Sequence, residues 1–445
     1  MNTKLIITIQ IILATLALQL QAQQVWDLNT CVKYAIENNI DINIQKNNVI
    51  QQKVNLAESK AKLLPDLNVG SSVNFNFGRS IDGATNDIIY EQTVSNNLWV
   101  SSSVDLFQGL IKRNTIGFNK FLLLANKQEH EVIRNKLIIK VISAYYIALY
   151  SQGLESVAMG QVDLSKMQYE RMHVLADIGK ESPITVQDLK SQWVADKLNL
   201  TKAQNQKNNK ILELKQLLRL DAFDNFNIDT SNNKPIIINT LPIVDSVFNR
   251  AIQFLPEIKQ QEFLLNASKK DVQISKGAML PNLFLSAGMG SNFFNGDDLN
   301  YNAQINNNQN QQIRLGISIP IFNKITVHSS VKRKKLAVAN QLLQIEKNKE
   351  LVYSEIWNVL HNAASAEKEY QTSLELYKYS NLAFTNTIKK LEKGLASTSD
   401  FEIAKQRLVS SEVEMLKSKL TYIMHTQILE YYKTGNWDHL DLNTL

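Results

Sequence analysis

The chain has 445 residues, 44% of them hydrophobic and 20% charged, with a formal net charge of +6, room for two or three ordinary domains or one large repeated unit. One cysteine, Cys31, excludes an intramolecular disulfide framework. The basic residues are dispersed among acidic ones, and even the densest run, "KRKK" (332–335), reads as a solvated helix face or an interfacial anchor, not a nucleic-acid patch.

The N-terminal stretch "MNTKLIITIQIILATLALQLQA" has Lys4 in a short n-region, an apolar run from Leu5 to Leu20, and a small residue, Ala22, at a cleavage position. It predicts a secretory signal peptide over 1–22, the run being short for an uncleaved anchor. No later segment offers about 18 uncharged apolar residues, so the mature chain does not read as a helical membrane protein. A first unit is then predicted over 23–220: a helix, strands at about 67–78 and 97–107, a long helix over 110–178, and a helix over 184–220. A turn-rich linker follows at 221–243, read with the tail 433–445 as an equatorial collar. The second unit, 244–432, repeats the order: a helix, strands at about 282–293 and 311–322, a long helix over 325–393, and a helix over 400–432.

The two units are copies. "LLPDLNVGSSVNF" (63–75) pairs with "MLPNLFLSAGMGSNF" (279–293), "SVDLFQGL" (103–110) with "SIPIFNKI" (318–325), and "HVLADIGKESPITVQDLKSQ" (173–192) with "KKLEKGLASTSDFEIAKQ" (389–406). The offsets are all 215 or 216 and the order is kept, which is the mark of a tandem duplication.

The strands alternate between an apolar and a small or polar face: Val69, Val73, Phe75 and Phe77 against Gly70, Ser72, Asn74 and Asn76; Ile313, Leu315 and Ile317 against Arg314, Gly316 and Ser318. Leu98, Val100, Val104 and Leu106 form another row. Period two with unlike faces fits a soluble sandwich or a transmembrane barrel with lipid outside and water inside. Trp99 and Phe107 flank a strand at a spacing suited to an aromatic girdle, with plain packing as the alternative. The proline-free long helices decide for the barrel, because at about 1.5 Å per residue each reaches about 100 Å, more than a globular core needs. Val352, Ile356, Val359, Ala363, Ala366 and Tyr370 recur at coiled-coil spacing, as do Ile138, Val141, Tyr145 and Ala148; Gly153 and Gly160 read as places where the first long helix loosens. Each shorter helix is half as long, so two end to end match one long helix. Four strands cannot close a barrel, and an open edge in lipid leaves backbone groups unpaired, so several chains must contribute.

The duplicated order, the "LLPDL"/"MLPNL" and "SIPIF" segments and the "KGLASTSDFEIAKQ" turn resemble the TolC-type outer-membrane efflux proteins over essentially the whole mature chain. The resemblance implies an α+β membrane protein: a long α-helical coiled-coil barrel continuous with a trimeric, twelve-stranded transmembrane β-barrel, four strands per chain. It implies a homotrimer in outer-membrane lipid that extends into the periplasm and works with a periplasmic membrane-fusion adaptor and an inner-membrane pump of RND or ABC type. The function expected is a passive exit duct with no cofactor, no metal and no nucleic-acid partner; a periplasmic coiled-coil adaptor or scaffold is the alternative.

Both helix breaks carry caps. Lys389, Lys390 and Lys393 precede Gly394, and "SDFE" (399–402) reads as a capping box with Ser399 at its head; Gly179 is followed by Ser182 and Pro183. By the family resemblance the turns form the periplasmic mouth. Asp400 matches the family's first acidic gate position, Ile403 stands where its second acid would be, and Thr185 replaces an acid in the first turn; Asp188 completes the gate set. Gly179, Lys180, Ser182, Gly394, Leu395 and Ser397 are the candidate adaptor contacts at the tip. Catalysis finds no support: His130, His173, His328, His361, His425 and His439 are scattered, "GKES" lacks the first glycine of a phosphate loop, and "GMGSN" falls within a strand.

Overall fold

The computed structural model describes residues 25–81, 85–90, 92–223, 226–229, 241–296, 299–437 and 440. The predicted signal peptide, linker residues 224–225 and 230–240, His439 and residues 441–445 of the tail lie outside them. In chain order the elements are β1 (Val25–Trp26), α1 (Leu28–Asn38), α2 (Ile40–Ala61), β2 (Asn68–Asn76), β3 (Ser80–Ile81), β4 (Ile88–Ile89), β5 (Thr93–Gln108), α3 (Ile111–Asp177), α4 (Pro183–Leu218), β6 (Asn227–Ile228), α5 (Val244–Ala251), α6 (Pro256–Gly277), β7 (Asn282–Phe294), α7 (Tyr301–Asn307), β8 (Asn310–Ser318), α8 (Thr326–Glu392) and α9 (Thr398–Thr434). They form two compact units.

The first unit takes the chain up to Ile44, Glu131–Leu255, and everything from Lys349 onward. Its core is drawn from helix faces at coiled-coil spacing. Ile138, Val141, Ile142, Tyr145 and Ala148 of α3 are buried, as are Val352, Ile356, Leu360, Ala363 and Ala366 of α8. Leu360 takes the buried place in that seam, with Val359 only half-buried beside it. By length and composition α3 could cross a membrane, but 44% of its apolar stretch is buried, and Leu137, Ile138, Val141, Ile142, Tyr145 and Ala148 belong to the core. Gly153 does not loosen α3, which is unbroken; a Cβ there would lie 2.3 Å from Leu416 Cδ2, so the glycine lets α9 pack against bare backbone.

One buried polar network ties α3 to the C-terminal residues: Asn135 donates to the Tyr431 hydroxyl at 2.8 Å and accepts from the Trp437 indole at 3.0 Å. Trp437 stacks on Tyr431 with centroids 4.5 Å apart. The described part of the linker pairs as β6, in parallel, with β1, and Trp26 packs on Phe226. Cys31 is fully buried there, and burial pushes its thiol pKa up.

The second unit, Gln45–His130 and Pro256–Asn348, holds the sheet. β2, β5, β7 and β8 pair antiparallel in that order, leaving β2 and β8 as edges without a further strand partner among the described residues. β5 starts at Thr93, ahead of the predicted 97, and a hairpin of two-residue strands, β3 and β4, precedes it. β8 stops at Ser318, short of the predicted 322, because Pro320 has no N–H for a ladder.

Each helix predicted ahead of a strand pair is two helices. The first breaks at Asn39, whose side chain accepts from Ile42 N–H; the second breaks ahead of Pro256 at the start of α6. The duplication shows in backbone detail. Gly109 and Leu110 ahead of α3 have φ of +55° and +60°, and Lys324 and Ile325, 215 residues on, have +54° and +63°. A β-branched Ile325 held in the left-handed region costs about 1–3 kcal/mol, so this strand-to-helix turn is imposed by its surroundings.

Candidate functional site

The sheet register sorts the strand residues onto two faces. Val69, Val73 and Phe75 share one face with Leu98, Val100, Val104, Leu285, Met289, Ile313, Leu315 and Ile317. Nothing among the described residues covers the edge rows: Val69 is 74% exposed, Ile313 82%, Leu315 66% and Ile317 65%. Exposed apolar rows of this kind need a non-aqueous neighbour. The opposite face carries Gly70, Ser72, Asn97, Ser101, Ser286, Gly288, Gly290, Asn292, Gln312 and Arg314.

Trp99 belongs to this second face, correcting the girdle expectation. It stands opposite Gly70 and Gly290, and a Cβ on Gly70 would sit 2.1 Å from its Cζ2. Phe284 lies over Gly316 in the same manner, 2.4 Å from the place a Cβ would take. Each edge strand therefore has a glycine covered by an aromatic ring from the strand next to it. Phe107 faces the other way: a bulge between Asp105 and Phe107 sets it opposite Leu283, on the apolar side.

In the first unit the structure brings the two helix breaks together. Met172 of α3, Leu189 of α4, Phe384 and Leu391 of α8, and Phe401 of α9 form one buried cluster, with the Phe384 and Phe401 centroids 5.5 Å apart. The turns themselves are the same device built twice. Gly179 has φ +71° and Gly394 +69°, values a residue with a Cβ rarely adopts. Lys180 N–H donates to Leu175 O and Leu395 N–H to Lys390 O, both at 2.8 Å; Gly179 and Gly394 donate to Ala176 O and Leu391 O. These are paired Schellman closures, which satisfy the last carbonyls of α3 and α8.

The N-cap of α9 is Ser397, not Ser399. Its hydroxyl accepts from Asp400 N–H at 3.1 Å, and the Asp400 carboxylate accepts from Ser397 N–H at 2.9 Å and from the Ser397 hydroxyl at 2.7 Å. The box is thus Ser-x-x-Asp, two residues ahead of the predicted one. Ser397 lies 215 residues after Ser182, the N-cap of α4, whose hydroxyl accepts from Ile184 N–H. By the same offset Asp400 corresponds to Thr185 and Ile403 to Asp188. The backbone and side-chain hydrogen bonds from Ser397 hold the exposed Asp400 carboxyl below the usual carboxylate range. Asp188 is exposed and Thr185 half-buried on α4; Gly179, Lys180, Ser182, Gly394, Leu395 and Ser397 are all exposed.

Behind the turns lies a group that sequence reading missed. Lys405 of α9 donates at 2.9 Å to Asp196 of α4 and pairs at 2.9 Å with Glu402; the Lys405 and Asp196 side chains are each only 4% exposed. Gln192 Nε2 donates to the other Asp196 oxygen at 3.1 Å. Beside it Trp193 stacks on Tyr169 at 5.5 Å, and Lys197 Nζ sits 3.7 Å from the Trp193 ring centroid. The Glu402-x-x-Lys405 spacing was visible; its meeting with a residue about 200 positions away was not. Among the described residues no group of three or more His, Cys, Asp or Glu is placed to hold a metal ion.

Residues 247–427 match the family model described as outer membrane efflux protein. A solvent efflux pump outer membrane protein, SrpC of Pseudomonas putida, is 21% identical over 412 residues, 91% of this chain and 84% of its own length. Among solved structures, the Campylobacter jejuni CmeC outer membrane channel aligns with a TM-score of 0.80 at 17% identity, over 92% of this chain and 86% of that one. The Vibrio cholerae outer membrane protein VceC aligns with 0.77 at 14% identity, over 92% and 96%. At such identities the likeness is one of fold: this chain has the α+β fold of the outer-membrane efflux channels.

Proposed function

We propose that the chain is an outer-membrane channel-tunnel, the passive exit duct of a tripartite efflux or secretion system. The observation that carries the reading is the sheet: antiparallel, open at β2 and β8, with an uncovered apolar row on one face and small or polar residues on the other. In lipid an unpaired edge costs several kcal/mol per backbone group, so the sheet must close with copies of itself. A homotrimer gives a twelve-stranded barrel in the outer membrane with Ile313, Leu315 and Ile317 toward lipid, and the helices extend into the periplasm.

The helix turns are the proposed periplasmic end. Val174, Ile178, Ile184 and Leu395 around them are 61%, 60%, 70% and 73% exposed, an apolar surface for a periplasmic adaptor that links the duct to an inner-membrane pump of RND or ABC type. Gly179, Lys180, Ser182, Gly394, Leu395 and Ser397 are the contacts this reading assigns to the adaptor. Asp400, with Thr185 and Asp188 in the other turn, is the proposed gate set; three axial carboxylates would repel one another and draw cations. The duct has no chemistry of its own, so the pump supplies the energy.

Membrane fractionation tests the reading. The mature protein is expected in the outer membrane, migrating as a trimer in detergent gels and as a monomer once boiled. Recovery as a soluble monomer would favour a periplasmic scaffold instead.

A further inference from the structure

The polar face of the sheet is not evenly bare. Between β5, β7 and β8 it holds a trough of about 440 Å³. Its floor is backbone at Gly288 and Gly290, Asn97, Asn292 and Gln312 flank it, and Trp99 borders it from β5 with its indole leaning over Gly70 of β2. The register puts all six on one face: Trp99 stands opposite Gly290, Asn97 opposite Asn292, and Gln312 opposite Gly288. Gln312 Nε2 lies 3.8 Å from the place a Gly288 Cβ would take, so its amide overhangs the floor.

Three properties of the trough define what fits it. Trp99 is braced: its ring lies against Gly70, where a Cβ would fall 2.1 Å from Cζ2, yet the residue stays 44% exposed. An aromatic face held this way is available to a ligand with little loss of side-chain freedom. The flanking amides each offer both a donor and an acceptor. Among the described residues, none lining the trough is ionisable. A charged solute would meet no counter-charge among the residues lining it, Arg314 being the next residue along that face of β8, and a wholly apolar one would leave the amides unpaired.

We propose that the trough binds a neutral saccharide, one apolar ring face on the Trp99 indole and its hydroxyl rim on Asn97, Asn292 and Gln312. The inference rests on the exit-duct reading only for where a solute meets it: the polar face would line the aqueous bore, with one trough per copy.

The test uses maltotriose on the purified full-length protein in detergent. Saturation-transfer NMR should show contact with the sugar at millimolar concentrations, and Trp99→Ala should weaken it about three- to tenfold. Trp99→Phe should keep most of the affinity. Gln312→Leu, on an exposed edge-strand position, should weaken binding while the sheet stays intact. In planar bilayers the same sugar should interrupt the current of the wild-type protein and not that of Trp99→Ala. No transfer to maltotriose at tens of millimolar overturns the proposal, as does equal binding of a uronate of the same size. Current without sugar contact removes the trough and leaves the duct; contact without current leaves the trough and removes the duct.

Discussion

Replacing Lys405 with methionine keeps the length of the side chain and removes the cation that two carboxylates share. At 2.9 Å from Asp196 and 2.9 Å from Glu402, the ammonium interacts with each by on the order of 6 kcal/mol at an effective dielectric near 20, most of it offset by the cost of leaving water. The intact pair therefore adds little net stability. Removing Lys405 is different, because Asp196 stays 4% exposed with only the Gln192 amide for company, and Glu402 adds a like charge nearby. Stranding a buried charge costs about 3–5 kcal/mol. At about 2 °C per kcal/mol for a large domain, the melting midpoint should fall by roughly 6–10 °C. Asp196→Leu should cost less than Lys405→Met, since Lys405 then keeps Glu402, and the Lys405→Met/Asp196→Leu double variant should recover toward wild type. Thermal melts by circular dichroism measure the shifts, and hydrogen exchange in α4 and α9 locates them. A Lys405→Met midpoint within about 1 °C of wild type would refute the reasoning, as would Asp196→Leu being the worse of the two.

Ser397→Ala removes the hydroxyl half of the α9 capping box, keeping the backbone N–H bond to the Asp400 carboxylate, and should cost about 1 kcal/mol, read as faster hydrogen exchange in the first turn of α9. The Asp400 carboxyl is held low by Ser397, so its contribution is present above the ordinary carboxylate pKa near 4 and is lost as pH falls through the folded value. Asp400→Asn should flatten that acid limb and, in bilayers, lower cation preference; unchanged selectivity would take Asp400 out of the gate. His425 is lowered by burial, and its Nδ1 is buried without a hydrogen-bond partner among the described residues, so stability should decline as pH drops below about 6.5, where the unfolded chain takes up the proton first. His425→Leu should reduce the change in melting midpoint between neutral and mildly acidic buffer. Gly153→Val would overlap Leu416 and should destabilise by about 1–3 kcal/mol, recovered in part by Leu416→Ala.

What could be read from the sequence was whatever is local or repeated. The 215-residue echo exposed the duplication, and Gly179, Gly394 and Ser182 marked the turns because left-handed closures and N-caps depend on the residues in them. The N-cap at Ser399 was an avoidable error. Both "STSD" and "SDFE" satisfy the box pattern, but only Ser397 keeps register with Ser182. Trp99 was legible too, since period two places it opposite in direction to Leu98 and Val100, and the girdle reading set that alternation aside. Long-range contacts gave no local signal. Nothing near Lys405 announces Asp196, and nothing near Gly153 announces Leu416, because helix packing brings together residues hundreds of positions apart. The short helix α7 was hidden in a polar stretch whose folding depends on Gln304, which donates to the Phe294 and Leu299 carbonyls and accepts from Phe294 N–H.

The central claim is that this chain conducts. Single-channel recording of the purified full-length protein in a planar bilayer tests it most directly. The account predicts discrete ionic steps from a heat-modifiable oligomer, with a cation preference that Asp400→Asn reduces. A folded protein that inserts and leaves the bilayer electrically silent would contradict it.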